Sequence, residues 1–134
     1  MKQLVRDLMT TEVASLKQNE SLSIANDVMS LGRIRHLPVL DDDGKLCGMV
    51  TQRDLIFNAL ARALGFGSYA KEKALSSLRV KEVMTSHVIS TTPDTPLADA
   101  AKLMLEKKLG CLPVLENERL VGILTEADFV AAFV

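Results

Sequence analysis

Tryptophan is absent from the 134 residues, tyrosine occurs once and phenylalanine four times. Any core must therefore be filled by Leu, Val, Ile, Ala and Met. The hydrophobic share of 48% excludes a disordered chain, and the length suffices for one compact unit with a buried interior. An excess of one charge is also missing. The net charge is −1 and no basic block occurs, so nucleic-acid binding has no electrostatic footprint. No apolar run approaches the length of a membrane span. The opening MKQLVRDLMTTEVASL is broken by charges and carries no apolar signal region, which points to a cytoplasmic protein.

Reactive side chains are scarce too. Cys47 and Cys111 lie inside strand-like apolar runs, at non-equivalent positions and without metal-ligand spacing, and are read as buried structural thiols. His36 and His87 are not spaced as a metal pair. No glycine-rich phosphate loop is present, since Gly65-Phe66-Gly67 reads as a helix stop. No nucleophile–base constellation can be assembled, so the sequence supports neither an enzyme nor a metal site.

What the chain does contain is an internal repeat. VRDLMT at residues 5–10 returns as VKEVMT at 80–85, Val13 and Ser15 as Val88 and Ser90, and Leu22, Ala25 and Met29 as Leu97, Ala100 and Met104. Leu37-Pro38-Val39-Leu40 returns as Leu112-Pro113-Val114-Leu115, each pair being as far apart as Val5 and Val80. After the next turn Leu46, Gly48, Thr51 and Asp54 match Leu120, Gly122, Thr125 and Asp128 with one residue less between them. The lost residue falls between DDDG and ENE, in a turn, where deletion costs least.

Both copies read alike. A helical turn at residues 5–9 or 80–84 leads to a short strand at 13–16 or 88–91. A helix follows, with Leu22, Ala25 and Met29 on one face and Gly32 as its stop. In the second copy Thr95 is the expected N-cap, with Pro96 in the first turn. Two strands then form a hairpin, with Asp43-Gly44 supplying the first turn. The organisation expected is a first repeat over residues 1–64, a helical linker over 65–79 and a second repeat over 80–134.

The last helix of each repeat is apolar nearly all round. In LIFNALARAL, residues 55–64, only Asn58 and Arg62 are polar, and residues 129–134 are apolar throughout. Such a helix needs cover on nearly all sides. A homodimer through Leu55, Ile56, Ala59, Leu60, Phe129 and Phe133 is the simplest solution.

The ordered set (helical turn, V-x-S strand, helix, L-P-V strand, turn, L-x-G-h-h-T-x-x-D), present twice, resembles a tandem pair of CBS (cystathionine β-synthase-type) domains. The resemblance covers nearly the whole chain. It implies a mixed α/β (α+β) fold of two pseudo-symmetric β-α-β-β-α repeats packed through their sheets. It also implies dimers of such pairs, and clefts between repeats that take adenosine-containing ligands.

Thr51-x-x-Asp54 and Thr125-x-x-Asp128 carry the candidate chemistry. One reading is a capping box, Thr at the N-cap and Asp at N3. The other uses the same groups for a ligand: helix N–H groups and the Thr hydroxyl for a phosphate, and the two Asp oxygens for the hydroxyls of a ribose. The matching Thr and Asp carry those roles in the family that the chain resembles. Arg53 could grip a phosphate bidentately, with Arg33, Arg35 and His36 adding positive charge. The second copy has Glu126 and Ala127 beside its motif, and Lys108, Gly110 and Cys111 before its strand. Two unequal sites are therefore expected, the Asp54 site suited to a charged nucleotide. The Asp128 site is expected to be weaker, empty, or suited to an uncharged adenosyl group. Val13, Leu37, Pro38, Val39 and their counterparts Val88, Leu112, Pro113 and Val114 are strand core by default. In the family's arrangement they also flank a flat base.

The leading expectation is a ligand-sensing module that binds AMP, ADP, ATP or an S-adenosylmethionine-like molecule, requires no cofactor and acts on an effector protein. The rival is a constitutive dimerisation module without ligand.

Overall fold

Two hairpins, each with a long helix packed on it, make up most of the protein. The computed structural model describes residues 3–32, 34–56 and 76–134. In chain order the elements are α1 (Val5–Leu8), β1 (Leu16–Lys17), α2 (Leu22–Gly32), β2 (His36–Leu40), β3 (Leu46–Thr51), α3 (Val80–Val83), α4 (Leu97–Lys107), β4 (Cys111–Glu116), β5 (Arg119–Thr125) and α5 (Glu126–Ala131). Residues 52–56 are also helical. Arg33, the rest of the first apolar helix with Ala59 and Leu60, the stop at Gly65-Phe66-Gly67 and most of the linker lie outside the described residues. Among the described residues no helix is long and apolar enough to cross a membrane.

The hairpins show where the repeat loses its residue. Leu40 pairs with Leu46 across the first turn and Leu115 with Leu120 across the second, so the second turn is one residue shorter. The first is built by Asp41, whose Oδ1 accepts from the N–H groups of Asp43 (2.9 Å) and Lys45 (3.0 Å), with Gly44 at φ 80°. The second puts Asn117 and Glu118 at φ 52° and 68°, the mirror-image turn that suits a two-residue hairpin loop.

The strand leading into each hairpin is shorter than the sequence suggests. Leu16 pairs in parallel with Val39, and Thr91 with Val114. A rung two residues earlier would need an N–H from Pro38 or Pro113, which have none. The strands expected over residues 13–16 and 88–91 reduce to Leu16–Lys17 and a single bridge at Thr91.

Helix ends depart from expectation at three points. Gly32 is the last residue of α2, not the residue after it, and an added Cβ there would meet only the movable end of the Ile34 side chain, at 2.9 Å from Cδ1. The N-cap of α4 is Pro96, not Thr95. Thr95 Oγ1 lies 2.8 Å from Thr92 Oγ1, and the first helical N–H, of Leu97, donates to the Gln3 carbonyl at 2.8 Å. The final helix stops at Ala131, where Phe133 and Val134 tighten into bonds to Val130 and Ala131.

The Gln3 contact belongs to a larger pattern. The chain forms two compact units, one of Met1–Val13 with Ile89–Val134, the other Ala14–Val88. Repeats along the sequence and units in space are thus different partitions. The opening arm of each repeat docks on the hairpin and helix of the other. Val5, fully buried, joins Ala100, Met104, Leu112, Val114 and Leu124 in one core. Val80, its counterpart, joins Leu16, Leu22, Ala25, Met29, Leu37, Val39, Val50 and Leu55 in the other. The backbone contacts match as well: Leu22 N–H donates to Leu78 as Leu97 does to Gln3, and Ser21 bridges Arg79 as Pro96 bridges Leu4.

Leu55 is 3% exposed and belongs to this core, so it is not part of an outward face, and Phe129 packs partly on the other core. Ile56, Val130 and Phe133 are exposed.

Truncating Val5 to Ala is expected to cost about 2 kcal/mol. The loss should appear in urea unfolding and, by amide exchange, in β4 and β5 rather than in the neighbouring β1 and β2. Burial pushes the Cys111 thiol up to about 12 from an ordinary 9.0. The folded chain therefore keeps a proton that the unfolded chain releases, and this contribution is full below pH 9.0 and fades as pH rises toward about 12. Urea midpoints measured across that window should fall less in Cys111→Ala than in the parent chain.

Candidate functional site

Both hairpins open at the end where a Thr-x-x-Asp motif starts the next helix. In the unit of Ala14–Val88, His36 pairs with Thr51, and the Gln52 N–H donates to the Arg35 carbonyl at 2.8 Å. This register gathers Arg35, His36, Thr51 and Asp54 at one end of the hairpin. Thr51 N–H donates to Asp54 Oδ2 and Asp54 N–H donates to Thr51 Oγ1, both at 3.1 Å, a reciprocal capping box. Asp54 is half-buried, whereas the side chains of Arg35 and Arg53 are exposed.

The other unit repeats the arrangement with different side chains. Cys111 pairs with Thr125, and Glu126 N–H donates to the Gly110 carbonyl at 3.3 Å. Thr125 gives Asp128 Oδ2 its N–H at 2.8 Å and its hydroxyl at 3.3 Å. The capping role read from the sequence is thus filled in both copies. The basic side chains of the first copy, Arg35, His36 and Arg53, are replaced by a glycine, a buried cysteine and an exposed alanine, and Gln52 gives way to an exposed glutamate.

The apolar candidates divide. Leu37, Val39, Leu112 and Val114 are fully buried within the two cores, the default read for them, and Pro38 and Pro113 are buried on the opposite strand face. Val13 and Val88 are half-buried, beyond the points where the arms meet the hairpins. An open cavity of about 610 Å³ lies elsewhere, lined by Gln3, Pro96, Leu97, Asp99 and Phe129. Neither Thr125 nor Asp128 lines it, so it is not the candidate site.

Sequence reasoning passed over the last residues of each arm. Thr10 bridges Ile123, its N–H and carbonyl each bonded at 2.9 Å, and Thr85 bridges Met49 in the same way at 2.9 and 3.0 Å. Thr10 also donates its hydroxyl to Asp128 Oδ1 at 2.9 Å. The recurrence of Met-Thr at the end of VRDLMT and VKEVMT was the available signal. Gly122 and Gly48 permit this docking. A Cβ on Gly122 would lie 2.7 Å from Met9 Sδ and 3.1 Å from the Thr10 carbonyl oxygen.

These repeated units match a known family, the CBS domain, over residues 5–60 and again over 80–134. The chain belongs to the CBS domain family. A CBS domain-containing protein of Dictyostelium discoideum is 34% identical over 134 residues, which cover 97% of this chain and 90% of that one. Among solved structures, CBSX2 in complex with AMP is 32% identical, with a TM-score of 0.79 and coverage of 98% of this chain and 96% of that one. The CBS domain pair of protein MJ0100, in complex with 5′-methylthioadenosine and S-adenosyl-L-methionine, is 28% identical, with a TM-score of 0.78 and coverage of 99% and 97%. A homoserine O-acetyltransferase of Methanohalobium evestigatum shares 34% identity over 125 residues, and there this CBS chain spans only 23% of the relative's length.

Gly122→Ala is expected to displace Met9 and strain the Thr10 backbone, lowering stability by about 1–3 kcal/mol. Thermal unfolding checks the loss. Chemical-shift changes should centre on residues 8–11 and 121–124.

Proposed function

We propose that this CBS chain is a regulatory module that binds an adenosine-containing ligand and passes its occupancy to a partner protein through a change of conformation. The observation that carries the reading is the pair of half-buried carboxylates, Asp54 and Asp128, each held by a Thr at the open end of a hairpin. The complexes of CBSX2 with AMP and of the MJ0100 pair with adenosyl ligands support it. In this reading Asp54 accepts hydrogen bonds from ribose hydroxyls. The Thr51 hydroxyl and the exposed Arg53 meet the phosphate, with Arg35 and His36 adding positive charge. AMP, ADP or ATP suits that site. An uncharged adenosyl group suits Asp128, flanked by Glu126. Val13 and Val88 lie beside the base, no residue is catalytic, and no cofactor takes part. The reading places the protein in the cytoplasm, where the free thiols Cys47 and Cys111 persist. Ligand shifts conformation only as far as its affinity differs between the two states.

The exposure of Ile56, Val130 and Phe133 favours a second reading, a homodimer formed whether or not ligand is bound. Sedimentation across a concentration range tests it, and a monomer that persists at high concentration rejects it.

Calorimetry with AMP, ADP, ATP and S-adenosylmethionine tests the first reading. Asp54→Ala is expected to weaken AMP at least about tenfold, the scale of one hydrogen bond to a charged group. Asp128→Ala should leave that site intact. Absence of any adenosyl binding at millimolar concentration rejects the sensing role. Binding untouched by both substitutions rejects the site assignment.

A further inference from the structure

Asp128 is engaged through both oxygens. Oδ2 accepts from the Thr125 N–H at 2.8 Å and from its hydroxyl at 3.3 Å, and Oδ1 accepts from the Thr10 hydroxyl at 2.9 Å. Thr10 is not a loose surface group that happens to lie nearby. Its own N–H and carbonyl are bonded to Ile123, each at 2.9 Å. The arm that carries it is anchored further back. Val5 N–H donates to Thr95 and Arg6 N–H to Pro93, Arg6 pairs with Asp94, and the Val5 side chain is fully buried. The hydroxyl is therefore delivered to Asp128 by a docked backbone and stays there as long as the arm is seated.

From this geometry we infer that Thr10 is a positioning residue. It holds the Asp128 carboxylate through Oδ1 and is displaced from that oxygen when a ribose binds there. The inference rests on the adenosyl-binding reading above. A carboxylate only accepts, and its lone pairs are few and directed. A carboxylate offers about four acceptor positions. On Asp128 the Thr125 N–H and hydroxyl meet Oδ2 and the Thr10 hydroxyl takes one position on Oδ1, so the two hydroxyls of a ribose exceed what is left and compete with Thr10 for Oδ1. Binding through both hydroxyls at Oδ1 breaks the Thr10 contact, which weakens apparent affinity by the worth of that contact. The arm meanwhile keeps its backbone bonds to Ile123 but loses its side-chain tether. Occupancy of the Asp128 site is thereby reported at residues 4–10, a segment far away along the sequence.

Adenosine, the uncharged adenosyl probe that suits the Asp128 site, titrated into ¹⁵N-labelled protein tests this, with the amides of residues 125–128 and 51–54 reporting the two sites separately and those of residues 4–10 reporting the arm. In Thr10→Val, affinity at residues 125–128 is expected to rise about three- to tenfold, where tenfold corresponds to ~1.4 kcal/mol, with residues 51–54 unchanged. Amides of the arm should exchange faster without ligand and cease to respond to adenosine. Thr10→Ser, which keeps the hydroxyl, should behave as the parent chain and guards against a folding defect. Unchanged or weaker binding at residues 125–128 in Thr10→Val overturns the inference. So does adenosine binding to the parent chain at residues 51–54 alone, which leaves the sensing role standing. Binding of neither adenosine nor AMP at either site rejects the sensing role itself, and arm exchange that is still faster in Thr10→Val then marks the contact as purely structural.

Discussion

The structure depends on the exchange of arms between repeats. Val5 and Val80 are fully buried, yet each completes the core of a unit whose hairpin comes from the other repeat. A four-residue helix cannot hold itself together in water. What fixes α1 and α3 is the burial of one valine each, together with backbone bonds at both ends of each arm. Burying one such side chain contributes about 1.5–3 kcal/mol. The paired bridges at Thr10 and Thr85 leave no backbone group of those residues unsatisfied. Glycine at positions 48 and 122 is the condition for the fit, because a side chain there would meet the methionine of the arriving arm.

On this symmetrical scaffold the chemistry is unsymmetrical. The two Thr-x-x-Asp motifs form the same caps at the same register, and Arg35 and Gly110 accept equivalent backbone bonds from Gln52 and Glu126. Only the side chains differ. The buried valines, leucines and prolines that both copies share build the fold. The copies differ at exposed positions such as Arg53 and Ala127.

Much of this was legible in the sequence because repetition doubles every signal. The hairpins, the long helices and the missing residue in the second turn followed from aligning the chain with itself. Strand length was not legible, because it depends on which edge of Leu-Pro-Val faces the incoming strand, and only the register shows that Pro38 and Pro113 have no N–H to offer there. The cap of α4 was misplaced for a related reason. Thr95 is a good local N-cap, but the Gln3 carbonyl, far away in sequence, takes the first helical N–H instead. At the candidate site Thr51, Asp54, Thr125 and Asp128 were legible from spacing. Thr10 was not, since its meaning comes from a partner 118 residues away.

The exchange of arms also sets an order on synthesis. The unit of Ala14–Val88 is continuous, so all its parts are at hand once residue 88 has left the ribosome. The other unit needs Met1–Val13 and Ile89–Val134 together, so residues 1–13 wait for residues 89–134 before they find their place. Until then Val5 has no core to enter. The nascent chain carries an arm with an unburied valine while residues 14–134 are made, a period in which exposed apolar segments are prone to misassembly.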